Sequence, residues 1–196
     1  MNQITEESNK EQEMWEAFLL GDEEAYTELY RLHVKAMYRY GMSLVAASEA
    51  FVFDCIHDVF TEIWIKRSRL IVPDNVRYYL LKALKNRILH LLSRKERSHQ
   101  TFNEEFEDFL VEPSAEEIFT QKEEASNRQE MITKLVSQLS HRQQEALRLR
   151  FAENMNYEQI AEIMLVNKQS AQNIVFRAVE KLRTWLSILI FVFFQE

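Results

Sequence analysis

The chain of 196 residues contains two glycines, Gly21 and Gly41, and two prolines, Pro73 and Pro113. Such scarcity excludes glycine-rich phosphate loops, hairpin-dense all-β folds and most kinds of disorder. A single cysteine, Cys55, excludes a disulfide within the chain, and five scattered histidines have no zinc-ligand spacing. Cys55 and His57 stand two apart, which on a helix turns them to different faces. No glycine turn, nucleophile elbow or metal cluster is present, so nothing resembles a catalytic pocket. The expectation is a non-enzymatic protein with no cofactor, no metal and no small-molecule substrate. The start of the chain is polar and acidic, without a secretory pattern, which fits a reducing cytoplasm.

What is present is long, breaker-free periodicity, 46% hydrophobic residues and an uneven distribution of charge. The net charge of −7 argues at first against a DNA partner. Between Thr101 and Ser126, however, nine acids face only Lys122, so this one segment outweighs the whole net charge. Between Arg77 and Arg97 seven bases (Arg77, Lys82, Lys85, Arg87, Arg94, Lys95 and Arg97) face only Glu96. That patch is a phosphate footprint in composition.

The predicted fold is all-α, with two small helical domains joined by an acidic linker. The first domain spans 14–98, the linker 99–126, the second domain 127–186, and an apolar tail 187–196. In the first domain Asp22 caps a helix whose core side carries Ala25, Tyr26, Leu29 and Tyr30. Ser48 caps the next, in which Val52, Cys55, Ile56, Val59, Phe60 and Ile63 recur as one buried stripe. Pro73-Asp74 marks a break and a fresh N-cap before a helix that reaches past Arg94. The linker also holds Phe102, Phe106, Phe109, Leu110, Ile118 and Phe119, more apolar surface than a free tether needs, so part of it is expected to pack.

Three helix faces carry the functional pattern. In the second domain, Tyr157–Met164 and the run from Lys168 read as a helix-turn-helix. Ile160, Ala161, Ile163 and Met164 form one apolar side, and Ala171, Val175, Ala178, Val179 and Leu182 the other. Asn167 is suited to cap the second helix. Its outward face shows Lys168, Gln169, Gln172, Asn173 and Arg177, donors long enough to reach bases and phosphates in a major groove. An ordinary hairpin with a solvated face has the same periodicity. On the basic helix, Leu80, Leu81, Leu84, Ile88, Leu91 and Leu92 cluster on one side, opposite Tyr79, Lys82, Asn86, Ser93 and Arg97. An aromatic among cations and amides suits an unpaired strand, as it also suits a plain solvated face. On the preceding helix Asp54, Asp58, Thr61 and Ile65 form an outward stripe whose carboxylates lack basic partners in register. It reads either as a solvent face or as a complement to a basic partner protein.

Taken in order, these segments resemble the extracytoplasmic-function sigma factors, the compact group of the sigma-70 family that retains regions two and four. Phe53-Asp-Cys-Ile-His-Asp-Val-Phe-Thr-Glu-Ile-Trp64 resembles the region-two motif Glu-Asp-Leu-Val-Gln-Glu-Val-Phe-x-x-x-Trp. Asn75-Val-Arg-Tyr-Tyr-Leu-Leu-Lys-Ala-Leu-Lys-Asn-Arg87 is similar to the strand-opening helix that reads the −10 element. Leu139-Ser-His-Arg-Gln-Gln-Glu-Ala-Leu147 resembles the opening of region four, with Ser140 in place of proline. Tyr157-Glu-Gln-Ile-Ala-Glu-Ile and Phe176-Arg-Ala-Val-Glu-Lys-Leu-Arg183 resemble its helix-turn-helix. The resemblance runs from about Trp15 to Arg183.

The resemblance implies a sigma factor that binds core RNA polymerase and directs initiation at promoter DNA. Asp54, His57, Asp58 and Trp64 would then meet the coiled-coil clamp of the largest polymerase subunit. Tyr79, Lys82, Asn86 and Arg87 would hold or open the −10 strand, and the loop from Lys66 to Asn75 would take a flipped base. Lys168, Gln172, Asn173, Phe176 and Arg177 would face the −35 element. A membrane-bound anti-sigma factor is a further implied partner, and the acidic linker is expected along the RNA path of polymerase. Several positions depart from the family pattern. His57 stands in place of glutamine, Leu165 in place of the turn glycine, Lys168 and Gln169 in place of a small apolar pair, and Ile174 in place of an arginine. A positive φ at Leu165 would cost about 1 kcal/mol.

Two other readings stay open on sequence. One is a helix-turn-helix repressor or activator that binds operator DNA without polymerase, as a dimer on paired half-sites. The other is a membrane-associated adaptor, suggested by Trp185-Leu-Ser-Ile-Leu-Ile-Phe-Val-Phe-Phe194, a run about half the length of a spanning helix.

Overall fold

The computed structural model describes residues 2–45, 47–98 and 132–193. The linker expected at 99–126 therefore lies outside the described residues, as do its aromatics. The described residues are helical, with no strand among them. They fall into two compact units, one within Met1–Val111 and the other within Glu112–Glu196.

Among the described residues the first unit is a bundle of four helices: α1 (Asn2–Leu19), α2 (Glu23–Leu44), α3 (Glu49–Lys66) and α4 (Val76–Ser98), with a 3-10 turn at Arg67–Arg69. α2 packs against each of the other three. The stripe Val52, Cys55, Ile56, Val59, Phe60 and Ile63 is buried on α3, and Leu80, Leu81, Leu84 and Ile88 are buried on α4. Cys55 is wholly enclosed while His57 faces outward. Burial first, and then Asp58, pushes the Cys55 thiol up to about 11, which leaves it unreactive. α1 completes the core with Trp15 and Phe18, both fully buried.

Local chemistry sets the helix ends. Asp22 accepts from the backbone N–H groups of Glu24 and Ala25, at 2.8 and 3.1 Å. Ser48 accepts from Phe51 N–H at 3.3 Å. Each such cap is worth about 1 kcal/mol. The start of α4 differs from expectation: Asn75, not Asp74, is the cap, its Oδ1 accepting from Tyr78 N–H at 2.8 Å. The helix begins one residue later than Pro73-Asp74 suggests, and the cap follows it. Gly21 closes the α1–α2 turn at φ +96°, a conformation that favours glycine.

The second unit comprises α5, described over 132–137, then α6 (His141–Leu147), a π-helical turn (Arg148–Ala152), α7 (Tyr157–Ile163) and α8 (Lys168–Phe193). α6 and α7 both pack against α8. Ile160, Ala161, Ile163 and Met164 bury against Ala171, Val175 and Ala178. Val179, expected in that stripe, is 38% exposed, on a helix of 26 residues that α6 and α7, of seven residues each, are too short to cover along its whole length. The backbone of α8 stays helical to Phe193, so most of the apolar tail continues this helix. No helix among the described residues is long and apolar enough to cross a membrane.

Candidate nucleic-acid interface

The second unit supplies the clearest surface. Asn156 and Gln159 form a reciprocal capping box at the start of α7, at 3.0 and 2.9 Å. Asn167 caps α8 by accepting from Ser170 N–H at 2.8 Å. Between them Leu165 stands at φ +54°, 76% exposed, and turns the chain in the left-handed region. The strain expected of a leucine in place of glycine is therefore real. Ser140 has its own logic: its backbone N–H donates to Gln143 Oε1 at 3.3 Å, a bond proline lacks the hydrogen to make.

On the outer face of α8, Asn173, Phe176 and Arg177 are exposed and Gln172 is half-buried. Phe176 is 65% exposed, which a solvated hairpin has no need of. Asn173 Oδ1 accepts from Gln169 at 3.3 Å, so the two amides are aligned along one edge of the helix. Lys168 is ion-paired to Glu158 of α7. The hydrogen bond from Lys168, with help from the Glu158 backbone, holds that carboxyl below the usual range. Lys168 thus clamps the two helices of the motif as well as standing at its face.

The first unit holds the other predicted residues, and it pairs two that the sequence kept apart. Asp54 and His57 are exposed, and His57 Nε2 lies 3.1 Å from the Tyr30 hydroxyl. Asp58 is not free of basic partners, as its own helix suggested. Arg87 of α4 donates from Nε and Nη2 to Asp58 Oδ2 at 2.9 and 2.7 Å. Trp64 sits in an aromatic cluster, 4.9 Å from Tyr26 and 6.2 Å from Phe18 between ring centroids. Arg67 covers its outer face at 4.4 Å and donates to its carbonyl at 2.8 Å.

On α4, Asn86 is exposed and Lys82 is half-buried, its ammonium 3.1 Å from the Tyr78 hydroxyl. Tyr79 is also half-buried, edge-on to Trp15 at 5.3 Å. Burial, then the Glu62 charge, raises its phenol above the ordinary value. Arg97 has no described side chain. The loop before α4 is tied to α1: Trp15 Nε1 donates to the Ile71 carbonyl at 3.2 Å. Ile71 itself is 83% exposed, at the tip of the segment expected to meet a flipped base. Sequence reasoning missed both Trp15 and Arg67. For Arg67, its place three residues after Trp64 was a usable signal. For Trp15 there was none, since its partner lies 56 residues away.

Residues 129–182 match the family described as Sigma-70, region 4. The second unit is similar to sigma-70 region 4 over those residues. Among solved structures, the chain is similar to CnrH in complex with the cytosolic domain of CnrY, with 16% identity and a TM-score of 0.56. That likeness covers 91% of this chain and 97% of CnrH. It is also similar to the sigma factor RpoE in complex with the anti-sigma factor NepR from Bartonella quintana, with 20% identity and a TM-score of 0.54. Here 83% of this chain and 97% of the other are covered. At these identities the likeness is one of fold. Among curated proteins nothing matches. The chain resembles the extracytoplasmic-function sigma factors: in sequence over region 4, and in fold over most of its length.

Proposed function

We propose that the chain is a sigma factor of the extracytoplasmic-function group, which binds core RNA polymerase and directs promoter-specific initiation. The observation that carries this reading is the region 4 helix-turn-helix, with its outward amides, Phe176 and Arg177, in a chain whose fold matches sigma factors beyond that region. Polymerase supplies the chemistry, and the chain supplies position. Asp54, His57, Asp58 and Trp64 mark the side of α3 that meets polymerase. Exposed Asp54 and His57 offer the charge and hydrogen bonding, while Trp64, packed among rings, shapes that surface.

Tyr79, Lys82 and Asn86 are the residues proposed to hold the melted −10 strand. Unstacking a base step costs a few kcal/mol, which stacking at about 1–3 kcal/mol per base and phosphate contacts offset. Gln172 and Asn173 are proposed to read −35 bases, Lys168 and Arg177 to grip phosphate beside them, and Phe176 to pack on thymine methyls. The partners are core polymerase, promoter DNA and an anti-sigma factor, the last supported by the solved complex of RpoE with NepR. The place of action is the cytoplasm.

Run-off transcription on genomic fragments tests this. Discrete start sites that require both core polymerase and the chain are the expected result. A specific footprint by the chain alone at physiological salt would instead favour an operator-binding repressor or activator.

A further inference from the structure

Arg87 follows exposed Asn86 on the helix that resembles the −10 reader, and its motif position groups it with the DNA ligands. Its geometry argues for a different task. Successive residues on a helix diverge by roughly 100°, so while Asn86 points outward, Arg87 turns to α3. There two of its N–H groups converge on one carboxylate oxygen, Asp58 Oδ2, at 2.9 and 2.7 Å. Charge-assisted bonds of this kind are the strongest class of protein hydrogen bond. The pair is partly shielded, with the side chains of Arg87 and Asp58 34% and 45% exposed. Buried Leu84 and Ile88 flank Arg87 along α4, and buried Cys55 and Val59 flank Asp58 along α3, so both backbones are anchored in the core. A phosphate that took Arg87 would have to break both bonds and leave Asp58 uncompensated.

We infer that Arg87 is a positioning residue for polymerase docking: it fixes the Asp58 carboxylate through Oδ2 and leaves Oδ1 to accept from a donor on the partner. The inference rests on the sigma-factor reading and assigns Arg87 to the α3 surface instead of the DNA. An ordered carboxylate meets its partner with less rotamer freedom left to lose, which is the general gain of preorganisation. The arrangement makes docking depend on a residue that need not touch polymerase.

The test separates core affinity from strand affinity in the full chain. Arg87→Ala is expected to weaken core polymerase binding about tenfold, equivalent to about 1.4 kcal/mol. With core at saturation, binding of a −10 single strand to the assembled enzyme is expected to stay within about twofold of wild type. A merely structural loss would lower both. On an Asp58→Ala background, Arg87→Ala is expected to add nothing to the core defect, because the two side chains act as one. Arg87→Gln, which keeps the first two methylenes and an uncharged amide donor, gives the same split in smaller measure and serves if the alanine variant does not fold. Unchanged core affinity with weakened strand binding would overturn the inference, as would additive effects in the double variant. Failure of the wild-type chain to bind core at all would defeat the sigma-factor reading itself, a separate result.

Discussion

Gly41 of α2 faces Val52 of α3 so closely that a β-carbon at Gly41 would lie 2.6 Å from Val52 Cγ1, with Leu84 and Ile88 of α4 at 3.5 and 3.6 Å. Three helices meet at a point that admits no side chain. Overpacking a closed core costs about 1–3 kcal/mol, while alanine in a helix recovers about 0.5–1 kcal/mol over glycine. Gly41→Ala is therefore expected to destabilise the first unit by about 1–2 kcal/mol, read as a lower urea midpoint at unchanged slope. A midpoint at or above wild type would mean that α2 and α3 stand farther apart.

His33 is 1% exposed on α2, and neither ring nitrogen has a hydrogen-bond partner. Glu11 Oε2 is 4.0 Å from Nε2, too far to offset the burial that, with the Arg77 charge, pulls the imidazole down to about 4. An unfolded histidine titrates near 6.5, so between pH 6.5 and 4 the unfolded chain binds the extra proton. Stability must then fall as pH drops through that window, by on the order of 3 kcal/mol from this group. A His33→Gln variant, compared with wild type by denaturant melts at pH 7, 5.5 and 4.5, is expected to lose less stability on acidification. Parallel curves would remove His33 from the account.

Leu165 holds φ +54° with its side chain in solvent, so the strain there has no packing to lose on substitution. A left-handed non-glycine residue costs about 1–2 kcal/mol. Glycine removes that cost but adds roughly 0.5–1 kcal/mol of chain entropy to lose. Leu165→Gly should stabilise the second unit by about 0.5–1 kcal/mol, seen as a higher melting temperature, whereas Leu165→Ala, which keeps the β-carbon, should not.

Asp54 and Asp58 lie one turn apart on α3, and only Asp58 is bound to Arg87. Asp54→Arg is expected to lower core polymerase affinity at least tenfold, about 1.4 kcal/mol, without moving the melting temperature. Asp58→Arg sets two guanidinium groups against each other and is expected to lower both affinity and melting temperature, the latter by a cost near 1–2 kcal/mol. Circular-dichroism melts and a fluorescence titration with core polymerase distinguish the two. Equal thermal stability of both variants would deny the ion pair a role in the fold.

Sequence periodicity identified the buried stripes of α3 and α7 residue for residue, and that of α4 as far as Ile88 but not at Leu91 and Leu92, which are only half-buried, because an apolar side repeating every three to four positions has one favourable orientation in water. Caps were legible for a similar reason: Asp22, Ser48 and Asn167 act within three residues of themselves. The exposed Asp54, Asn173 and Arg177 could be placed outward by the same wheel. Periodicity failed where it needed to know which helices end where. Val179 lies on the apolar stripe yet stays 38% exposed, one residue beyond the fully buried Ala178.

The sequence by itself determined the helical character of the described residues, the inward faces of their helices and a helix-turn-helix similar to that of sigma-70 region 4, all of which depend on neighbours a turn or less away. Only the tertiary structure decided that Arg87 answers Asp58, that Trp15 holds the Ile71 carbonyl, and that Gly41 makes room for Val52. Those pairs lie on different helices, and a charge, a donor or a missing side chain carries no mark in the sequence of the distant group it will meet. Folding alone brings them within reach, where direct hydrogen bonds and close packing replace water.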